Sequence, residues 1–593
     1  MGSKKNHSER ARWQWWLVFI GAPVAIALGT VGYWFSSGSI PGLSAWLDAL
    51  YRSLQLLLLR MSPVSKMHWT LEFARWLAAL LFGLTAVLTF LRFFRDELRQ
   101  IRLQIPWPRH VVILGFGPKT TQLIQCFRRQ KRRVVVVAPA TDAECAELCR
   151  ANGATLVTGE LAEPETLVKA RVCRASHVVA LSPDDSTNMA IVVASRKLIL
   201  KKTDCCNKQS PVKCFVHLSD VDTRASLQTS GAFGRDARCE IRFFDLFDAA
   251  VRELLMDPKQ LPLDRGGVGE HDPRQVHLVI LGFGRMGRTV ALRAAQLGHF
   301  ANRKPLRISV IDQQAERRKQ ALLFRYPNFG KTCEIEFHAF EMESLPARQL
   351  LETWCADRSK AVSIVSCFDR DSLALEVALR MKSRVQEFHV PMFVRMSNQA
   401  GFAGVLQGGF ADSTSLVQPF GMVDNGCSDE FLENKRNEDL AQAIHEDYRA
   451  ERIADIRRKG EDPARDISTR PWAWLDDGLK DSNRQQADHI DIKLHALGLE
   501  RVDGDDSRAG IDHLAPDQIE LLAEMEHNRW NAERWLQGWT PGPGDKPKKV
   551  TPYLVPWTEL PDDIRKYDRE TVSKIPAFLK NINQKACRKG VSL

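Results

Sequence analysis

The stretch from His277 to Gln296, HLVILGFGRMGRTVALRAAQ, decides the fold of everything around it. An apolar run enters Gly282, Gly284 and Gly287 and leaves as a helix-compatible segment. A strand buried on both faces reads as unbroken apolar sequence, which is the mark of a parallel sheet. Glycines spaced G-x-G-x-x-G permit the tight turn, the close approach of a pyrophosphate and the contact of helix with strand. The next apolar run, RISVID, ends in Asp312, where an acid can hold ribose hydroxyls. Strand, turn, helix and acid together predict an adenine-nucleotide site, for NAD(H) or another adenine nucleotide. Its expected residues are Gly282, Gly284, Arg285, Met286, Gly287 and Asp312, with Asp369 at a later strand end facing the same crevice. Two other readings stay open: a degenerate sheet kept for dimerisation, and Asp369 with Asp371 as caps of the following helix.

An earlier stretch, HVVILGFGPKTTQLIQCF from His110, repeats the pattern with Thr120 in place of the third glycine. Its second strand, VVVV from Val134, runs into Ala138 and Pro139 where an acid is expected. This copy therefore predicts a sheet without NAD, although an anion could still meet free N–H groups at the helix start. Two such copies with no substrate domain between them argue for sensing rather than hydride transfer. A dehydrogenase resting on Gly282 and Asp312 remains the enzymatic alternative.

With 593 residues the chain can form several domains, each with its own core. Thirteen cysteines lie without CxxC spacing or a histidine ladder, so neither zinc nor a disulfide framework is suggested, and reduced thiols are expected. The net charge of +11 comes without a nucleic-acid motif, so no nucleic-acid partner is expected. The basic run RRQKRR from Arg128 reads either as a solvated helix end or as a contact for anionic lipid.

The excess of apolar residues sits at the amino end. Trp13 to Phe35 and Trp76 to Phe94 are uncharged but for Arg92, and at about 1.5 Å per residue each is long enough for a helix across most of a hydrocarbon core of about 30 Å. Spans over 13–35 and 72–95 are predicted. Between them, residues 43–61 form an amphipathic or pore-like helix with Asp48, Arg52 and Gln55 on one face and Leu43, Trp46, Leu47, Leu50, Leu54 and Leu57 on the other. A lipid-facing third span would strand those polar groups. Both chain ends are expected in the cytoplasm and the hairpin in the inner (plasma) membrane, in contact with lipid.

Helix, short helix, helix and then a Rossmann-like segment resembles the two-helix ion channels governed by RCK (regulator of K+ conductance) domains. The first sheet is similar to an RCK N-terminal domain through GATLVTGELAEPETLVKARVCRASHVVALSPDDSTNMAI, and the second through AVSIVSCFDRDSLALEVALRM and PMFVRMSNQAGFAGVL. The resemblance implies ligand-driven motion between lobes and a homo-oligomer, dimer or tetramer. It departs at LLLLRMSPVSK, where such channels carry a TVGYG-like filter, so potassium selectivity is not supported.

From about Asn437 the pattern turns helical, and an internal repeat appears. HEDYRAER at His445 matches HNRWNAER at His527, and PWAWL at Pro471 matches PWTEL at Pro556. LAQAIHEDYRAER, EMEHNRWNAERWLQGW and LVPWTELPDDIRKYDRETVSKIP resemble the ryanodine-receptor repeat, the RyR domain, a binding module. A ligand of unknown identity is expected at His445, Tyr448, Asn483, Glu526, Arg529, Trp530, Glu533 and Trp539, although the tryptophans could equally be core and the charges exposed helix pairs.

The expected architecture is multidomain: an α-helical membrane hairpin (1–105), two α/β Rossmann-like parallel-sheet domains (106–262 and 270–425) and a duplicated, helix-rich RyR domain (430–593). The expected function is a non-enzymatic, nucleotide-sensing ion channel or transport regulator. The alternative is a membrane-tethered signalling or anti-phage defence sensor without K+ conduction.

Overall fold

The computed structural model describes residues 5–36, 42–64, 66–93, 110–116, 118–139, 143–201, 211–218, 227, 236, 238–257, 260–264, 266–396, 416–421, 437–545 and 547–590. The linker 94–109, the Cys205 and Cys206 pair and the stretch 397–415 lie outside these residues. The chain divides into two compact units, Met1–Trp107 and Pro108–Leu593.

The first unit consists of helices Lys5–Ser36, Leu43–Leu56 and Trp69–Phe93. Small residues bring them together. A Cβ on Gly32 would lie 2.6 Å from Leu71 Cβ, one on Gly29 2.9 Å from Ser53 Cβ, and one on Gly21 2.9 Å from Leu81 Cδ2. Thr30 and Ser53 share a buried hydroxyl hydrogen bond of 2.9 Å. Trp69–Phe90 is long and apolar enough to cross a membrane, by length and composition; among the described residues it is the one such stretch, Ile20–Ser36 being apolar but shorter.

The helix Leu43–Leu56 packs on neither of the two faces read from the sequence. Ala49, Ser53 and Leu56 are buried, while Leu43, Trp46, Leu47 and Leu54 stay exposed. The seam between the two stripes carries the small side chains, and close helix packing selects small side chains over large ones. Asp48 and Arg52 pair with each other at 2.7 Å, and Gln55 Oε1 accepts from Ser62 Oγ at 3.4 Å.

The second unit holds two six-stranded sheets, every pairing in them parallel. The first comprises β1 (Val111–Leu114), β2 (Val134–Ala138), β3 (Thr155–Thr158), β4 (His177–Ala180), β5 (Val212–His217) and β6 (Cys239–Phe244) in the order β3-β2-β1-β4-β5-β6. The second comprises β7 (Gln275–Leu281), β8 (Arg307–Ile311), β9 (Glu334–His338), β10 (Lys360–Ser366), β11 (Met392–Arg395) and β12 (Val417–Phe420) in the order β9-β8-β7-β10-β11-β12. Both orders are the doubly wound Rossmann arrangement, with a crevice at the carboxyl ends of the strands where the order reverses. Val111 to Leu114 and Val276 to Leu281 are buried throughout, as their unbroken apolar runs require.

The carboxy-terminal helices do not stand apart from the second sheet. One apolar core joins Val251 and Leu254 of helix Leu246–Met256, Leu278 and Ile280 of β7, Val290 and Ala294 of helix Arg285–Leu297, and Leu440, Leu494, Leu522 and Phe578. Buried charges cross the same contact. Arg252 forks onto Asp488 with two 2.8 Å bonds, Arg293, itself held by Asp248 at 2.6 and 2.8 Å, reaches Asp481 at 3.5 Å, and His489 Nε2 donates to the His299 carbonyl at 3.1 Å.

Within residues 437–590 the sequence repeat recurs as geometry. His445 Nε2 donates to the Arg470 carbonyl at 2.8 Å, and His527 Nε2 to the Val555 carbonyl at 2.8 Å. Each histidine ring lies beside the tryptophan that follows, Trp472 at 5.8 Å and Trp557 at 5.7 Å. Arg484 forks onto Glu438, and Arg569 onto Glu520. The strands Leu499–Asp503 and Gln584–Arg588, one after each half, pair antiparallel.

Candidate functional site

β7 delivers its backbone into Gly282, which adopts φ +84, and a Cβ there would press to 3.0 Å from Phe368 Cδ1. That left-handed conformation favours glycine. Gly287 is required by contact instead: its Cβ would lie 2.2 Å from the Gly282 carbonyl oxygen. Gly284 caps helix Arg285–Leu297 with no side-chain acceptor on the first turn. The N–H groups there meet the positive end of the helix dipole, an arrangement suited to phosphate.

Asp312, just past β8, accepts from the Phe283 N–H at 2.7 Å and from the Gln314 N–H at 2.7 Å. An ionised carboxylate has about four lone-pair sites. The two bonds thus fix the acid beside the turn and leave capacity for ribose hydroxyls. Asp369 is exposed over the turn, its Oδ2 3.8 Å from the Cβ position of Gly284, and it pairs with Arg395. Met286 is buried in the core, so only its backbone is available, whereas Arg285 is exposed at the helix start. The guanidinium groups of Arg285 and Arg395 both approach the Phe247 ring, at 5.3 and 5.5 Å. Phe247 belongs to the helix that leaves β6, so the first sheet's last element borders the second sheet's crevice. No local pattern marks Phe247 or Arg395 as neighbours of a turn at 282–287.

The first sheet has the same turn in altered form. Gly115 adopts φ +108, and a Cβ there would meet the Leu181–Ser182 backbone at 2.8 Å. Thr120, fully buried, replaces the third glycine and donates its hydroxyl to the Gly115 carbonyl at 3.4 Å. β2 ends in buried Ala138, followed by exposed Pro139, so no acid faces the turn from that strand.

The predicted residues of the carboxy-terminal module fall into three groups. Glu526, Arg529 and Glu533 form a buried ionic network. Lys493 Nζ reaches Glu526 at 2.5 Å, Arg529 bridges Glu526 and Glu533 at 2.9 Å each, and Ser482 Oγ donates to Glu533 at 3.0 Å. Burial alone raises a carboxyl's pKa, but the charges of Arg529 and Lys493 overcome it and hold Glu526 at about 2. His445 and Asn483 bond to the carbonyls of Arg470 and Leu479 and so support the backbone. Trp530 and Trp539 flank the Arg534 guanidinium at 5.2 and 5.1 Å, half-buried, and Tyr448 is exposed. Lys493 was not legible as a partner of Glu526, since the pair spans thirty-three residues of sequence.

A cavity of about 260 Å³ lies at the opposite, amino-terminal edge of the second sheet, bordered by Val268, Arg358, Lys360, Val362, Phe388 and Pro391. Two helices end there, Leu345–Ala356 and Asp371–Phe388, and their negative dipole ends account for the cations. Among the described residues, no three His, Cys, Asp or Glu side chains converge as a metal site.

Two doubly wound parallel sheets, one with a complete glycine turn and acid, followed by a duplicated helical module, define the class of protein. Residues 111–214 match the TrkA-N domain, and residues 505–585 match the RyR domain. The first match falls on the sheet with Thr120, and the second on the latter half of the duplicated module. Comparison with curated proteins gives no match. Among solved structures, GsuK bound to ADP is 15% identical over 71% of this chain and 97% of that one, with a TM-score of 0.37. The GsuK channel bound to NAD is 14% identical over 73% and 85%, with a TM-score of 0.37. A dipicolinate synthase chain from Bacillus halodurans is 12% identical over 52% and 88%, with a TM-score of 0.19. At such scores these similarities assign neither ligand nor ion to this chain.

Proposed function

We propose that this chain is a membrane-anchored nucleotide sensor that regulates ion movement, binding an adenine nucleotide such as NAD(H) or ADP at Gly282, Gly284, Gly287 and Asp312. The observation that carries the reading is Asp312, held against the glycine turn by the Phe283 N–H at 2.7 Å with acceptor capacity to spare. We assign it no catalytic step. The TrkA-N and RyR matches support a regulatory role, and the apolar helix Trp69–Phe90 supports an anchor. In this reading the amino-terminal helices form a hairpin in the plasma membrane with both chain ends cytoplasmic, and the chain acts as a dimer or tetramer.

The test is thermal shift of the full chain in detergent with NAD, NADH, ATP, ADP or cyclic AMP. A ligand at a hundred times its Kd stabilises by about 2.7 kcal/mol, so the melting temperature rises. Asp312→Ala removes the rise and Trp530→Ala keeps it. No shift with any nucleotide, or a shift untouched by Asp312→Ala, refutes the site. Ion flux from vesicles holding the reconstituted chain, with and without the same ligand, tests the regulation.

A second reading rests on the segment Leu56–Lys66, which lacks a TVGYG-like filter. In it the chain is a tethered signalling or defence sensor without K+ conduction. Nucleotide then changes the assembly state, read by light scattering, while flux stays at background.

A further inference from the structure

The charges of the first sheet are sorted by edge. The chain enters β1 from the linker 94–109 at the amino-terminal edge, and the run RRQKRR joins helix Pro118–Arg129 to β2 at that same edge, where Val111 pairs with Val134. Arg128, Arg129, Lys131 and Arg133 are exposed there, and Arg150 and Arg174, which precede β3 and β4, are exposed beside them. The opposite edge carries exposed Glu160, Glu163 and Asp184.

The run is built as a fixed turn. Lys131 adopts φ +60, its N–H bonds to the Arg128 carbonyl at 3.0 Å, and the Arg132 N–H returns to the Phe127 carbonyl at 2.9 Å. Arg132 turns inward, its guanidinium 3.0 Å from His177 Nδ1. The helix dipole accounts for cations in the last turn, Arg128 and Arg129. It does not account for Lys131, which lies beyond the helix end.

We infer that this edge, centred on Arg128, Arg129 and Lys131, is a docking surface for the anionic headgroups of the bilayer that anchors the chain. The chain enters β1 at this edge through the sixteen residues 94–109 that follow helix Trp69–Phe93, the proposed anchor, so the edge is the part of the sheet nearest that anchor along the sequence. Clustered cations close to a membrane-spanning helix are attracted to acidic lipid within about a Debye length, roughly 8 Å in physiological salt. The surface would make the sensor responsive to lipid composition. The inference rests on the membrane anchorage proposed above.

The test places the photo-cross-linking residue p-benzoylphenylalanine at Gln130, or in a second preparation at Ser186 on the far edge. The full chain is reconstituted into vesicles of phosphatidylcholine with or without phosphatidylglycerol. Position 130 cross-links to lipid about tenfold more with phosphatidylglycerol, the gain disappears in high salt, and the triple variant Arg128→Glu, Arg129→Glu, Lys131→Glu abolishes it. Position 186 stays unlinked in both vesicles. Equal cross-linking with neutral lipid, an unchanged yield in the triple variant, or capture of RNA by position 130 in place of lipid overturns the docking surface. A chain that does not float with vesicles refutes the anchorage as well. One that floats without the cross-link refutes the docking surface alone. A nucleotide-induced thermal shift retained by the triple variant shows that it is folded.

Discussion

Gly287 and Thr120 occupy the same place in two copies of one turn, and a single Cβ separates their consequences. At Gly287 that carbon would collide with the Gly282 carbonyl at 2.2 Å, whereas Thr120 has its own spacing and a hydroxyl bonded to the Gly115 carbonyl. Gly287→Ala is therefore expected to cost about 1–3 kcal/mol and to remove the nucleotide-induced thermal shift, whereas Thr120→Gly gains none because β2 offers no acid. His277 gives the pH dependence at this scale. Burial in the second sheet lowers its pKa to about 3, from an ordinary value of 6.5. The folded state keeps the ring neutral, so its contribution is complete above pH 6.5 and declines at about 1.4 kcal/mol per pH unit as pH falls toward 3. Glu526, held at about 2, has the same sign: its stabilisation is complete above the ordinary carboxylate range and is lost as pH falls toward 2. The melting temperature should drop between pH 7.5 and 5, and His277→Gln should flatten that drop.

Among the helices of the first unit, glycine position decides packing. A Cβ on Gly32 would lie 2.7 Å from the Leu71 backbone nitrogen, while nothing lies within 4 Å of a Cβ on Gly83. Gly32→Leu should abolish the protease-resistant helical core in detergent, and Gly83→Leu should leave it intact. Equal sensitivity at both positions would contradict the packing. The same scale explains the helix Leu43–Leu56. Its two stripes are visible in the sequence, but the packed face is the seam of Ala49 and Ser53, because helices approach where side chains are short.

For the whole molecule, the second sheet and the duplicated helical module share one core and buried ion pairs. Removing one partner of such a pair leaves an uncompensated charge and costs about 3–5 kcal/mol, while replacing both by apolar residues is often nearly neutral. Asp488→Ala should thus split the unfolding of this unit into two transitions in denaturant, and Arg252→Met with Asp488→Leu should restore one. Helix Arg285–Leu297 begins at the glycine turn, and near its end Arg293 reaches Asp481 of the duplicated module at 3.5 Å. A nucleotide bound at the turn, as proposed, would sit at the start of a helix that also contacts the module.

Local pattern by itself determined the two parallel sheets, the complete and the altered turn, and the repeat of His445 and His527. The reason is that strand burial, glycine spacing and helix period act over a few residues. Only the tertiary structure decided which charges are core, which helix face is packed, and that Phe247 and Arg395 border the second crevice. Glu526 meets Lys493, and Arg252 meets Asp488, across 33 and 236 residues. Such pairs form because buried charge must find its counterion wherever the packed elements bring one, and no local spacing encodes that meeting.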